Sequence, residues 1–182
     1  MKELSLNILD IAENSLKAEA TLTEILISET DDSLKMTIKD NGYGMSEETI
    51  RSVVNPFYTT RTTRRVGLGI PLFKLAAEQT GGSITIKSSE RSTSANHGTV
   101  VTAVFNKNHL DFTPLGDVVS TITTLIQGHP DRDFVFLHEK NGSSVSLDTR
   151  ELREVLEDIP LDSFEILCWI KDNLSEQYEG IK

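Results

Sequence analysis

Leu34-Lys35-Met36-Thr37-Ile38-Lys39-Asp40-Asn41-Gly42-Tyr43-Gly44-Met45 is the stretch on which the fold turns. Leu34, Met36 and Ile38 alternate with Lys35, Thr37 and Lys39, the period of a strand with one buried face. Asp40-Asn41-Gly42-Tyr43-Gly44 then breaks that period with turn chemistry. An Asp at a strand end, followed by two spaced glycines, lets backbone approach a flat ligand. The carboxylate can accept a hydrogen bond from an exocyclic amine. The same residues also read as an ordinary strand-to-helix turn.

Upstream, residues 22–29 read as a second strand, and Thr30-Asp31-Asp32-Ser33 as the turn of a hairpin. Residues 3–18 read as a helix, with Leu4, Ile8, Ile11 or Ala12, and Leu16 at helical spacing. Asn7, Asp10 and Asn14 share its other face, and Lys17 continues that stripe. Two amides and a carboxylate suit a hard divalent cation such as Mg²⁺, which takes oxygen ligands. A solvated polar helix face is the plainer reading.

Downstream, Ser46 followed by Glu47 and Glu48 reads as a helix start. Residues 55–69 read as a long loop rich in Thr, Arg and Gly. Arg64-Arg65-Val66-Gly67-Leu68-Gly69-Ile70 carries a Gly-x-Gly pair that leads into a helix over residues 70–80, ended by Gly81-Gly82. Backbone N–H groups at a helix start bind anions, and arginines add charge-assisted hydrogen bonds to phosphate. No Gly-Lys-Ser/Thr follows and no strand directly precedes it, so it is neither a Walker A loop nor a dinucleotide fingerprint. Residues 83–88 and 99–105 read as strands.

Taken together, these elements resemble the GHKL superfamily, which holds histidine-kinase catalytic domains, MutL-type repair ATPases and Hsp90-type chaperones. The resemblance covers residues 3–106. Asp10-Ile11-Ala12-Glu13-Asn14-Ser15 resembles its N box, Asp40 to Met45 its G1 box, and Asn55 to Arg61 its F box. Arg65 to Ile70 resembles the G2 box, and Gly98-Thr99 the G3 pair. The resemblance implies the Bergerat ATP-binding fold, an α/β (α+β two-layer) sandwich. Its sheet is mixed, mostly antiparallel, with helices on one face.

The resemblance also implies roles. Asn14 is the Mg²⁺ ligand. Asp40 binds the adenine amine, with Thr99 helping through water. Gly42, Gly44 and Met45 frame the adenine, and Phe57 to Leu68 form the ATP lid. Within or beside the lid, Thr60, Arg61, Gly67, Leu68 and Gly69 meet the nucleotide. MutL-type members carry a Glu general base four residues before the metal Asn; here Asp10 stands there, a competent base that is one methylene shorter. ATP and Mg²⁺ are therefore the expected cofactors.

The chain has 182 residues, 37% hydrophobic and 25% charged, an ordinary balance for a globular protein. Its net charge of −10 offers no basic face for nucleic acid. No apolar run approaches the ~20 residues that span a bilayer. The single Cys168 excludes an internal disulfide, and a cytoplasmic location is expected.

Composition changes near residue 110, dividing an ATP-binding domain (1–110) from a small α/β extension (111–182), a candidate partner-binding module. In the extension, a helix near 115–127, strands near 133–138 and 143–148, and helices near 149–157 and 162–177 are expected. Phe164, Ile166 and Trp169 read as core at helical spacing, and Cys168 as a small buried residue. Residues Asp111 to Asp117 resemble the tail of small stand-alone clostridial ATP-binding proteins. His97, His109, His129 and His138 read as loop or strand-edge residues without catalytic duty. With the motifs starting near the N-terminus, no room is left for a phospho-acceptor helix. The expected activity is thus a stand-alone kinase or phosphotransfer protein acting on a partner in trans. An ATP-hydrolysing conformational switch and a non-catalytic nucleotide sensor stay open.

Overall fold

The computed structural model describes residues 3–54 and 68–181. The elements run α1 (Ser5–Lys17), β1 (Leu22–Glu29), β2 (Ser33–Asp40), α2 (Glu47–Val53), α3 (Gly69–Gln79), β3 (Ser83–Ser89) and β4 (Gly98–Asn106). There follow α4 (Val118–Gly128), β5 (Asp133–Lys140), β6 (Ser143–Asp148), α5 (Thr149–Leu156) and α6 (Phe164–Glu179). The strands form one six-stranded sheet in the order β3-β4-β2-β1-β5-β6. Among the described strands only β1 and β5 pair in parallel. The sheet is mixed and mostly antiparallel, as expected.

Alternation explains the two layers. Leu34, Met36 and Ile38 are buried while Lys35 and Lys39 are exposed. The buried rows of β1, β4, β5 and β6 face the same helices. Helices α3, α1, α4 and α6 lie in that order across this face, each packed on its neighbour. One continuous core results, with Ile8, Ile11, Phe73, Ile122 and Ile170 from the helices meeting Ile25, Met36, Phe105 and Phe136 from the strands. Each such side chain contributes roughly 1.5–3 kcal/mol on burial. Phe73 and Phe105 hold α3 to β4, their ring centroids 5.7 Å apart.

The C-terminal strands continue the same sheet. β4 and β5 run in the same direction, so their connection must cross over, and α4 makes that crossover on the helical face. Asp117 caps α4, its carboxylate accepting from the Ser120 amide at 2.8 Å.

Four expectations about side chains are corrected. Helix α6 buries Ile170 and Leu174, with Ile166, Leu167 and Tyr178 packed beside them. Phe164 and Trp169 lie off that stripe and are 78% and 49% exposed, and Cys168 is exposed. An apolar residue at helical spacing fits either face; here the sheet takes the other one. His138 is no strand-edge residue: β5 lies between β1 and β6, and the side chain is buried. Asn7 is not solvated either, because α3 and α4 flank α1; its amide is buried, with no hydrogen-bond partner among the described residues.

Candidate functional site

The site forms where the core's inward-facing rows turn polar. Ile86, Val101, Ile38, Ile25 and Phe136 stand side by side across five strands. Two residues further along, the next row reads Ser88, Thr99, Asp40 and Thr23. The stripe of α1 above it changes in the same way, from Leu4, Ile8 and Ile11 to the buried Ser15. A cavity of about 720 Å³ opens there, within the range typical of small-molecule sites. Ile11, Ile70 and Val101 give it apolar walls. Asn14, Asp40 and Thr99 give it polar ones. The exposed Lys17, Tyr43 and Arg91 stand at its mouth.

Asp40 is held from three directions. The Ser15 hydroxyl donates to Oδ2 at 2.7 Å, and the amides of Gly42 and Thr99 donate to Oδ1 at 2.9 and 3.2 Å. Oδ1 is saturated, whereas Oδ2 keeps a lone pair toward the cavity. A carboxylate fixed in this way is a preorganised acceptor for a donor on a ligand.

The loop after Asp40 is seated by contact with its neighbours. A Cβ on Gly42 would come within 2.6 Å of the Ala18 carbonyl oxygen at the end of α1. Gly44 has φ +74°, and a Cβ there would overlap the Ser89 carbonyl oxygen. These glycines thus admit Ala18 and Ser89, which clamp the loop between α1 and β3. The Met45 amide donates to Ser88 Oγ at 2.8 Å. The Asn41 side chain accepts from the amides of Thr21 and Leu22 and ties the loop to β1.

Of the residues singled out from sequence, Asn14, Asp40, Gly44, Met45 and Thr99 line the cavity together. Gly42 supports Asp40 from behind. Gly69 begins α3, and a Cβ on it would stand 2.9 Å from that of Asp10, so the absent side chain lets the two helices meet. Leu68 precedes it, 60% exposed. Pro71 sits in the first turn of α3, where its missing N–H has no intrahelical acceptor to lose. Asp10 is exposed and stands at the start of α3, outside the cavity wall. Partial burial raises its carboxyl above the usual carboxylate range; Lys17 opposes this and Glu13 adds to it. Phe57, Thr60, Arg61 and Gly67 lie outside the described residues.

Sequence reasoning assigned no role to Ser15, Ser88 or Arg91, and read His97 only as a loop or strand-edge residue. His97 Nδ1 lies 2.6 Å from the Gly42 carbonyl oxygen, and the Arg91 amide donates to the Tyr43 carbonyl. Both brace the loop. Ser15 and Ser88 had a legible signal: each is a hydroxyl that ends an apolar series at the correct period.

Among the described residues no three His, Cys, Asp or Glu side chains gather as a metal cage. No helix among them is long and apolar enough to cross a membrane.

Comparison with known proteins agrees with this geometry. The family described as histidine kinase-, DNA gyrase B-, and HSP90-like ATPase matches residues 2–109. The chain is 34% identical over 100 residues to the sensor histidine kinase YvrG of Bacillus subtilis, covering 52% of this chain and 16% of that protein. It is 27% identical over 88 residues to the sensor histidine kinase ZraS of Klebsiella oxytoca, covering 48% and 19%. The chain thus spans less than a fifth of either relative. Among solved structures, the N-terminal domain of a DNA repair protein superposes with a TM-score of 0.56 at 16% identity, covering 81% of this chain and 53% of that one. An Aquifex aeolicus MutL ATPase domain with the K252N mutation superposes at 0.52 and 18% identity, covering 86% and 64%. At these identities the superpositions speak for the fold, which they extend beyond the family match. The match over residues 2–109 covers more than half of the chain, and the chain belongs to the histidine kinase-, DNA gyrase B- and HSP90-like ATPase family.

Proposed function

We propose that the cavity binds ATP with Mg²⁺, and that the chain acts as a kinase or phosphotransfer protein on a separate partner. The observation that carries the reading is Asp40: a carboxylate fixed by three donors, with acceptor capacity left toward a cavity of about 720 Å³. Adenine offers the matching amine. Asn14, one wall away, offers the oxygen for Mg²⁺, a cation that takes few protein ligands and keeps waters and substrate phosphates. When bound, the ion would offset phosphate charge. The first turn of α3 would offer the amides of Gly69 and Ile70 for phosphate, and Lys17 and Arg91 add positive charge at the mouth. Residues 111–182 are the proposed partner-binding part, and the exposed Phe164 and Trp169 support that role.

Titration calorimetry with a non-hydrolysable ATP analogue and Mg²⁺ tests the binding step. Wild type is expected to bind saturably and Asp40→Asn to lose about 1.5–3 kcal/mol, roughly a 10–100-fold weaker Kd. Absence of binding by wild type would overturn the reading.

An ATP-hydrolysing switch is the second reading. Asp10 favours it, being one helical turn before Asn14 with a carboxyl raised toward proton acceptance. Asp10→Asn is then expected to lower turnover by about 100-fold or more while leaving nucleotide affinity near wild type. Unchanged turnover would remove Asp10 from the chemistry.

A further inference from the structure

We propose that Ser88 sets the hydrogen-bond polarity of the cavity by taking the Thr99 proton, so that the site accepts from a 6-amino purine and rejects a 6-oxo purine. The inference rests on the cavity being a nucleotide site and names the device that selects the base.

Ser88 Oγ has three polar neighbours. The Met45 amide stands at 2.8 Å, the Gly98 carbonyl oxygen at 2.9 Å and Thr99 Oγ1 at 2.8 Å. A serine hydroxyl has one proton and two lone pairs. The Met45 amide can only donate, so it uses one lone pair. The Gly98 carbonyl can only accept, so it takes the proton. The second lone pair is then left for the Thr99 hydroxyl, which must donate. No other assignment makes all three bonds. If Ser88 donated to Thr99 instead, the Gly98 contact would lose its proton.

The consequence reaches the cavity through Thr99. With its proton turned to Ser88, Thr99 Oγ1 faces the ligand as an acceptor. Asp40 Oδ2 is also an acceptor, because Ser15 is its one donor among the described residues. The polar wall therefore presents lone pairs alone from these two residues. An amine at C6 of a purine in direct contact matches that wall. A carbonyl at C6 meets it lone pair to lone pair, with neither group able to turn. Ser88 does not touch the ligand in this arrangement. It is a positioning residue, and it also fixes the loop through Met45.

The test measures base preference rather than affinity alone. The full chain is titrated with non-hydrolysable analogues of ATP and of inosine triphosphate, which share ribose and phosphates and differ at the base. In Ser88→Ala the Thr99 proton is freed to donate to a 6-oxo group. The ratio of the two Kd values is expected to fall about tenfold, the worth of one hydrogen bond. Ser88→Thr, which keeps the hydroxyl, is expected to keep the wild-type ratio. A merely structural loss would weaken both nucleotides alike and leave the ratio unchanged, which would overturn the proposal. Ser88→Cys fills similar space with a far weaker hydrogen-bonding atom and repeats the test should the alanine variant unfold. Wild type that binds neither nucleotide would instead remove the nucleotide reading itself, so the two failures are distinct.

Discussion

The buried layer between sheet and helices ends in polar groups at both ends of the strands, and the two ends behave differently. At one end lie Asp40, Thr99 and Ser88. At the other, Glu29 closes β1, with His138 of β5 and Tyr178 of α6 against it. Among the described residues the second end is fully paired. Tyr178 donates its hydroxyl to His138 Nδ1 at 2.9 Å, and His138 Nε2 donates to Glu29 Oε2 at 3.2 Å. Lys107 donates to Glu29 Oε1 at 2.7 Å and to the Thr30 carbonyl at 2.6 Å. Of the two neutral tautomers of His138 only Nε2–H makes both bonds, since Glu29 has no proton to give, and burial favours the neutral ring. Polarity at the edge of a core therefore does not define a binding site. The closed end uses up its donors and acceptors on itself and locks α6 to the sheet, whereas the open end keeps acceptors pointed into a cavity.

This contrast predicts that substitutions at the two ends separate binding from stability. Asp40→Asn carries the largest expected effect, the 10–100-fold loss of nucleotide affinity given above, with little change in melting temperature. An Asn keeps one oxygen for the amides of Gly42 and Thr99, and the Ser15 hydroxyl can turn its proton to the Ile11 carbonyl, but a donor replaces the Oδ2 acceptor that meets the ligand. Tyr178→Phe comes next and acts in the opposite sense. It keeps the ring against His138 but leaves Nδ1 without a donor, costing about 1–3 kcal/mol. Thermal unfolding is expected to move down by roughly 2–12 °C while nucleotide affinity holds. An affinity loss in this variant would show that the two ends are coupled.

The smallest effect is on pH dependence. Burial pushes His138 below its ordinary 6.5; Glu29 pulls the other way, and Lys140 and Lys107 reinforce the burial. Burial alone would raise Glu29, but the Lys107 hydrogen bond and the charges of Lys107, Lys140 and His138 hold it below 4.5. For both groups the unfolded chain binds more protons than the folded one, so stability rises with pH. The His138 contribution is whole above pH 6.5 and is lost as pH falls through its lower folded value. The Glu29 contribution follows below pH 4.5. A melting temperature that falls by a few degrees between ~pH 7.5 and ~pH 5.5, with the slope flattened in His138→Gln, is the expected outcome. A flat wild-type profile would count against the neutral buried imidazole.

Much of the open end was legible because its chemistry is local in sequence. Asp40 follows directly on the strand it terminates, and Asn14 and Asp10 are one helical turn apart. The closed end was not legible. Glu29 and His138 meet only because β5 pairs with β1 in parallel, across more than a hundred intervening residues. His138 therefore read as a strand-edge residue. Ser88 has the same difficulty on a smaller scale: its partners Met45 and Thr99 come from two other segments.

Periodicity and motif order fix which side of each strand faces the helices, where the polar ends of those rows fall, and which family residues 2–109 match. They do so because side-chain direction follows from local backbone geometry. Register, sheet order and the choice of buried face on α6 come only from the folded chain. Alternation says that Ser88, Thr99, Asp40 and Thr23 point inward, but cross-strand pairing sets them in one row beneath Ser15. A slip of two residues on any strand would keep every side chain on its correct face and still dismantle that row.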